Sequence, residues 1–389
     1  MNRNVIVTIL SLMLIFCLGF SCEEPGNRGS AISGWEQMGE DPDDPQKPQE
    51  PDDPEPDTPD PDDPYADCWF KTRGIIAGWG DVYAPSSPYK IDYLEIAKEH
   101  GLNTFSIYGP DRNSQTWKDY MAAGEEVGVK FEFEEHMMSF LLPRDLFSSH
   151  PEYFRMNKDG VRVEDANGCP SSEGALEQVY LNAKRLGQSY KPTNHHYYFW
   201  LDDGGDICYC PKCKDYSASE QALMFENKII EALKELDPDA MLAHLAYNNT
   251  TNAPKKVKPA EDIFLEFAPF HRDWSHPLSE TWVEGNSGWT HAKYLRALQE
   301  NLKVFPKETA QVLEYWMDDS LFSGWNPSNL KPVPWNNKIF QDDLKTYAKY
   351  GIRHITCYCA YVGPSYVKKF GSPSFLIEYA DGLRDFRKE

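Results

Sequence analysis

The chain is 389 residues long and carries 39 Lys and Arg against 61 Asp and Glu, a formal net charge of −22. That balance excludes a protein that neutralises phosphates along a nucleic acid, so no nucleic-acid partner is expected. With 41% hydrophobic and 14% aromatic residues the chain can bury a large core, which excludes an acidic polymer that is disordered throughout.

The N-terminus reads as a processing segment. Arg3 precedes an apolar run from Val5 to Phe20, followed by Ser21 and Cys22. The run is shorter than the roughly 20 residues a spanning helix needs, which favours a signal peptide over a membrane anchor. A Cys directly after the apolar run is similar to the lipobox of bacterial lipoproteins, in which that Cys becomes the lipidated first residue. The Leu preferred three places before the Cys is Gly19 here, with Leu18 one place further out. Lipidation of Cys22, export and anchoring at an outer membrane or cell surface are therefore expected, with cleavage by ordinary signal peptidase as the alternative. From Glu40 to Pro64 there are 12 acids, 1 Lys and 9 prolines. Fixed proline φ and self-repelling carboxylates keep such a stretch extended and solvated, and scattered acids without an ordered loop make a poor calcium site. The expected organisation is a signal peptide over 1–22, a disordered acidic, Pro-rich linker over 23–67 and one folded domain over 68–389.

The folded part alternates strand-like and helix-like runs. Strands are predicted at Gly74–Gly80, Asn103–Tyr108, Val129–His136, His196–Asp202, Met241–Tyr247, Ile263–Phe267, Gln311–Trp316 and His354–Tyr358. Helices are predicted at Ile91–His100, Trp117–Glu126, around Ala175–Leu186, at Ser219–Leu236, around Ala292–Val304, and at Asn337–Tyr350 and Ser374–Phe386. Eight strands, nearly all followed by helices, imply a parallel sheet closed into a (β/α)8 TIM barrel of the α/β class. An open doubly wound sheet is the fallback, weakened because no Gly-x-Gly-x-x-Gly follows the first strand.

In this barrel the chemistry sits at the C-terminal strand ends. These present Trp79 and Asp81, Tyr108, Glu134-Glu135-His136, Asp202-Asp203, Tyr247, Glu266, Glu314-Tyr315-Trp316 and Tyr358. No nucleophile elbow and no phosphate loop accompany them. Carboxylates around an aromatic cleft suit glycoside hydrolysis, in which one acid protonates the leaving oxygen while a second group attacks or activates water. The reading assigns Asp203 as general acid, with Glu314 or Glu266 as base or nucleophile. In a variant, Asp202 orients a substrate acetamido group that attacks its own anomeric carbon. Trp79, Tyr108, His136, Tyr247, Trp316 and Tyr358 are the expected carbohydrate contacts. The plainer readings are a loop cap for the Asp pair, a buried Glu–Arg pair for Glu314 and for Glu266, and solvated acids at Asp318-Asp319.

Leaving aside Cys17 and Cys22, seven cysteines remain. Cys208, Cys210 and Cys213 have ligand-like spacing, but tetrahedral zinc wants a fourth ligand that the local sequence does not supply. A disulfide or free thiols are the other readings, so no metal and no cofactor are expected. Cys357 and Cys359 share a strand face and read as barrel-wall residues.

With these residues laid out, the chain resembles an uncharacterised bacterial family, domain of unknown function 4838. The resemblance is carried by His150-Pro151-Glu152-Tyr153-Phe154, Gly160 and Gly168-Cys169-Pro170, by Asp203-Gly204 leading to Cys-x-Cys-x-x-Cys, by Leu245-Ala246-Tyr247, and by Lys331-Pro332-Val333-Pro334. It runs from about Lys130 onward. The family is similar to barrel glycosidases such as the alpha-glucuronidases, and the Asp-Asp pair looks like that of the O-linked N-acetylglucosaminidases; both place the acid after the fourth strand. The chain lacks the small α/β domain that precedes the barrel in alpha-glucuronidases. The resemblance implies a barrel glycosidase more firmly than it implies a substrate. A non-catalytic glycan-binding lipoprotein and a metal-dependent hydrolase of another ester or amide are the rival functions.

Overall fold

The computed structural model describes Tyr65 and residues 67–388. The expected signal peptide, the Cys22 lipidation site and nearly all of the acidic linker lie outside the described residues. Nine parallel strands are present: β1 (Thr72–Gly78), β2 (Thr104–Tyr108), β3 (Lys130–Glu132), β4 (Glu134–His136), β5 (His196–Trp200), β6 (Met241–Ala246), β7 (Ile263–Phe267), β8 (Gln311–Glu314) and β9 (His354–Tyr358). They run in the order β3-β2-β1-β9-β8-β7-β6-β5-β4. Only Phe133 separates β3, which pairs with β2, from β4, which pairs with β5. The two ends of the sheet are thus halves of one interrupted strand, and the sheet closes as the eight-position barrel expected.

Helix starts follow from short polar caps. Asp92, Ser114, Ser172, Ser217, Thr290 and Asn336 each accept a backbone N–H of the first turn, satisfying donors that would otherwise be orphaned. Ser217 and Glu220 complete a capping box at Ala218–Lys234. The helix Tyr93–His100 stops at Gly101, whose φ of 80° lies in the left-handed region that glycine enters without strain.

Alternation along each strand splits the core in two. Ile75, Phe105, Phe131, Phe199, Val312 and Ile355 face the helices. Ile76, Tyr198, Trp200, Phe264, Leu313 and Tyr315 fill the barrel. The strand neighbours approach closely at Gly74, where an added Cβ would lie 2.7 Å from Thr356 Cγ2, so only glycine fits there. The barrel interior also holds polar groups: Glu132, Glu134, Glu266 and Gln311 are all buried.

Candidate functional site

Strand parity decides which residues at the barrel mouth can meet a ligand. On β5, Tyr198 and Trp200 point inward, and the chain leaves the strand at Asp202-Asp203. Asp202 is held by the loop in front of the helix Glu173–Ser189. Its Oδ2 accepts from the Arg144 guanidinium and, at 2.5 Å, from the Asn167 backbone N–H. Its own N–H donates to Asn167 Oδ1 at 2.9 Å. Both bonds to the carboxylate fall on Oδ2, leaving Oδ1 for a ligand. Asp203 is exposed and its charge acts on the hydroxyl of Tyr247, which burial, and then Asp203, hold protonated above the ordinary tyrosine value.

Asp202 and Tyr247 border an open cavity of about 590 Å³, solvent at its opening included, whose walls also include His136, Asn167, Asn248 and Asn249. His136 Nδ1 donates to the Leu201 carbonyl, which leaves Nε2 as an acceptor in the neutral ring. Hydroxyl-rich ligands need such mixed donors and acceptors beside an aromatic face. Beyond Tyr247 an aromatic band crosses the mouth. Phe270 lies 5.3 Å from Tyr247 and 5.1 Å from Tyr315, and Tyr315 stacks on Tyr358 at 5.4 Å and 14°. Trp274 meets Tyr315 edge-on at 6.1 Å. Tyr108 belongs to the same inner layer.

Three expected site residues face the other way. Glu314, 0% exposed, lies on the helix side of β8. Its Oε1 accepts from Arg272 Nη1 at 2.7 Å and from the Tyr347 hydroxyl, so the Glu–Arg pair is what the fold contains and Glu314 is removed from the candidate carboxylates. Burial raises its carboxyl above the ordinary value, against the pull of Arg272. Trp316 also points outward, donating to Asp343 Oδ2 at 2.9 Å and packing edge-on against Phe340 at 5.1 Å. Trp79 stacks on Tyr83 at 4.5 Å and meets Trp117 edge-on at 5.5 Å, under the helix Gln115–Glu126. For Glu314 and Trp316 strand alternation turns a side chain expected in the mouth into the helix–sheet core, whereas Trp79 lies past the end of β1, at the first residue of the short helix Trp79–Val82.

Glu266 does face the barrel axis, but it is sealed there. It accepts from Trp200 Nε1 at 2.8 Å and from Gln311 Nε2 at 3.3 Å. In register it is level with Gln311, four residues below Tyr315 on the way to the mouth. Burial raises Glu266 to about 8 and Glu132 to about 7. Burial, then the neighbouring Glu266 and Glu132, push Glu134 well above the ordinary carboxyl value. Neither oxygen of Glu134 meets a donor outside this group. Three carboxyls packed this way share protons with one another, because they cannot all ionise.

Two acids that the sequence reading left without a role, Asp81 at a strand end and Asp318 as a solvated acid, stand at the opposite rim. Asp318 is 4% exposed rather than solvated; it caps the short helix Asp319–Phe322, and burial raises it to about 6. Asp81 is likewise raised to about 6, by burial against the Tyr361 backbone N–H it accepts at 3.0 Å. Glu132 carried a usable signal: in Lys130–Glu134 phenylalanine and glutamate alternate, so both glutamates had to share the inner face. Phe270 and Trp274 lie beyond the end of β7 and carried none.

A model of the family described as "Domain of unknown function (DUF4838)" matches residues 75–362, reaching ahead of Lys130, where the motif resemblance begins. No curated protein matches the chain. Among solved structures, the chain is similar to the glycoside hydrolase family 5 enzyme PbGH5A of Prevotella bryantii B14, with a TM-score of 0.44 and 10% identity over 81% of this chain and 97% of that one. It is similar also to a Bacteroides ovatus GH5 xyloglucanase (TM-score 0.42, 11% identity, 81% and 75% covered). A third is the cellulose synthase subunit Z of Clostridioides difficile (TM-score 0.40, 11% identity, 80% and 99% covered).

Proposed function

The chain belongs to the DUF4838 family, and from that premise and the chemistry of its barrel mouth we propose that it is a surface-anchored glycoside hydrolase acting on a glycan that carries 2-acetamido sugars. One observation carries the reading: an open cavity at the ends of β4, β5 and β6 gathers His136, Asp202 and Tyr247, with the exposed Asp203 next in the chain to Asp202 and acting electrostatically on Tyr247. Asp203 is the general acid that protonates the leaving glycosidic oxygen. Asp202, fixed through Oδ2, uses Oδ1 to orient the acetamido N–H while the acetamido oxygen attacks the anomeric carbon. Asp203 then takes a proton from the water that opens the cyclic intermediate. The outward turn of Glu314 and the sealing of Glu266 favour this adjacent-pair chemistry over two carboxylates facing each other across the barrel. Cys22 supplies the lipid anchor, and the acidic linker spaces the barrel from the membrane.

The sealed interior acids and the long aromatic band also suit a second reading, a glycan-binding lipoprotein without turnover. Aryl 2-acetamido-2-deoxyglycosides, assayed beside the same aryl glycosides with a 2-hydroxyl, separate the two. The hydrolase releases aryl alcohol from the first set, and Asp203→Asn lowers kcat by about 10²- to 10⁴-fold with glycan binding retained. Silence on both sets, together with binding on a glycan array, would establish the second reading instead.

A further inference from the structure

Four thiols meet behind the wall of the cavity. Cys169 comes from the loop before the helix Glu173–Ser189, and Cys208, Cys210 and Cys213 from the loop after β5. All four are buried, and their sulfurs lie within 4.8 Å of one another. Cys169 Sγ is 3.7 Å from Cys210 Sγ and 3.9 Å from Cys213 Sγ. Sulfurs bound at ~2.3 Å to one tetrahedral zinc stand ~3.8 Å apart, whereas a disulfide would draw two of them to ~2.05 Å. We propose that Cys169, Cys208, Cys210 and Cys213 hold one structural zinc ion.

The surroundings are those of thiolates. Binding releases four thiol protons to solvent and leaves a site of net charge −2, with no change of oxidation state. The Arg162 guanidinium lies 3.8 Å from Cys208 Sγ, and the Met156 backbone N–H donates to the same sulfur at 3.3 Å. The Ser171 hydroxyl stands 3.1 Å from Cys213 Sγ and 3.3 Å from Cys169 Sγ, close enough to donate to either. Gln221 fixes the loop backbone, accepting from Cys208 N–H at 2.9 Å and donating to the carbonyls of Cys208 and Cys213 at 3.0 and 3.1 Å. Charge compensation and oriented ligands of this kind are what metal sites require outside the first ring of contacts. Four thiolates fill a tetrahedron, so the ion has no open position for substrate or water, and its role is to hold structure.

What it holds is the frame of the candidate cavity. Asn167, two residues before Cys169, grips Asp202 through both backbone and side chain. Asp206, two residues before Cys208, lines the same cavity. The ion therefore ties together two loops that are far apart in sequence and that otherwise meet through a few hydrogen bonds. The proposal stands whether or not the barrel turns over a glycan.

The full chain, purified without added reductant and passed over a chelating resin, is analysed for metal by mass spectrometry. The expected result is one zinc per chain, lost in Cys169→Ser and kept in Cys357→Ser. A mercurial titrant should release that zinc as four thiols react, and this measurement on the unmutated chain does not depend on a variant folding. Cobalt reconstitution should give the intense visible bands of tetrahedral thiolate coordination. Iron in place of zinc, zinc retained by Cys169→Ser, or an intact mass short of two hydrogens for each of one or two disulfides would each overturn the assignment.

Discussion

The carboxylate that matters most at the residue scale is one that is not free. Asp202 is pinned by Arg144, whose guanidinium also donates to the Asn167 carbonyl at 2.9 Å and lies over the Phe154 ring. A charge-assisted hydrogen bond of this kind contributes about 1.5–3 kcal/mol. If its purpose is to aim Oδ1 of Asp202, then Arg144→Gln, which keeps much of the stem but loses the fork, should lower kcat/KM on 2-acetamido substrates by about 10- to 100-fold. Turnover of substrates without the acetamido group should change far less. Parallel kinetics on the two substrate classes check this, and an equal loss on both would assign Arg144 to loop folding alone. The pair Asp202-Asp203 was legible in the sequence as a strand-end motif. The partner that separates the two roles was not, because Arg144 sits 58 residues before Asp202 in a loop whose path only the fold determines.

At the scale of elements, the end of β8 is tied to the helix Asn337–Lys349 by a buried charge knot. Arg272 donates to Glu314 and to Asp343, both at 2.7 Å, and all three are 0% exposed. Trp316 and the Leu278 backbone N–H complete the bonds to Asp343. Removing one partner of such a group leaves an uncompensated buried charge at a cost of about 3–5 kcal/mol. Arg272→Met should therefore lose about that much in a denaturant titration, whereas replacing Arg272, Glu314 and Asp343 together by apolar residues of similar volume should recover much of it. A loss below about 1 kcal/mol for the single change would show that the knot does not hold these elements. The knot also explains why the direction of Glu314 could not be read from sequence. Strands of a parallel barrel are apolar on both faces, so Val312 and Leu313 look alike although one faces the helices and the other the axis. The alternation of strand-like and helix-like runs located all eight barrel positions and the longer helices between them. Parity at a strand end was lost wherever both flanking residues were hydrophobic, and it survived where phenylalanine and glutamate alternate, at Phe131–Glu134.

For the whole molecule, the consequence of a polar barrel interior is a stability that falls with pH. Glu132 at about 7 and Glu266 at about 8 lie well above the unfolded carboxyl value near 4.3, and Glu134 is raised as well, all chiefly by burial. Between the unfolded and folded values the native chain keeps protons that the unfolded chain has released, so each step up in pH favours unfolding. Below about pH 6.5 the half-buried His196 and the buried His291, lowered to about 4 by desolvation, pull in the opposite direction, because there the unfolded chain binds the extra proton. The two trends overlap in acid and near pH 6.5, but toward pH 8 the histidines contribute little. Between those values the interior carboxyls, joined at the lower end by Asp81 and Asp318 raised to about 6, set most of the slope. The melting temperature should therefore decline across that interval. Glu266→Gln mimics the protonated carboxyl: its amide oxygen can accept from Trp200 Nε1 and its NH₂ can donate toward Glu134. The variant should match the parent near pH 6, exceed it near pH 8, and show a shallower slope between them. Thermal melts at fixed ionic strength measure this directly. An unchanged slope in Glu266→Gln would mean that the interior carboxyls are ionised in the folded barrel, and that some group outside it governs the pH response.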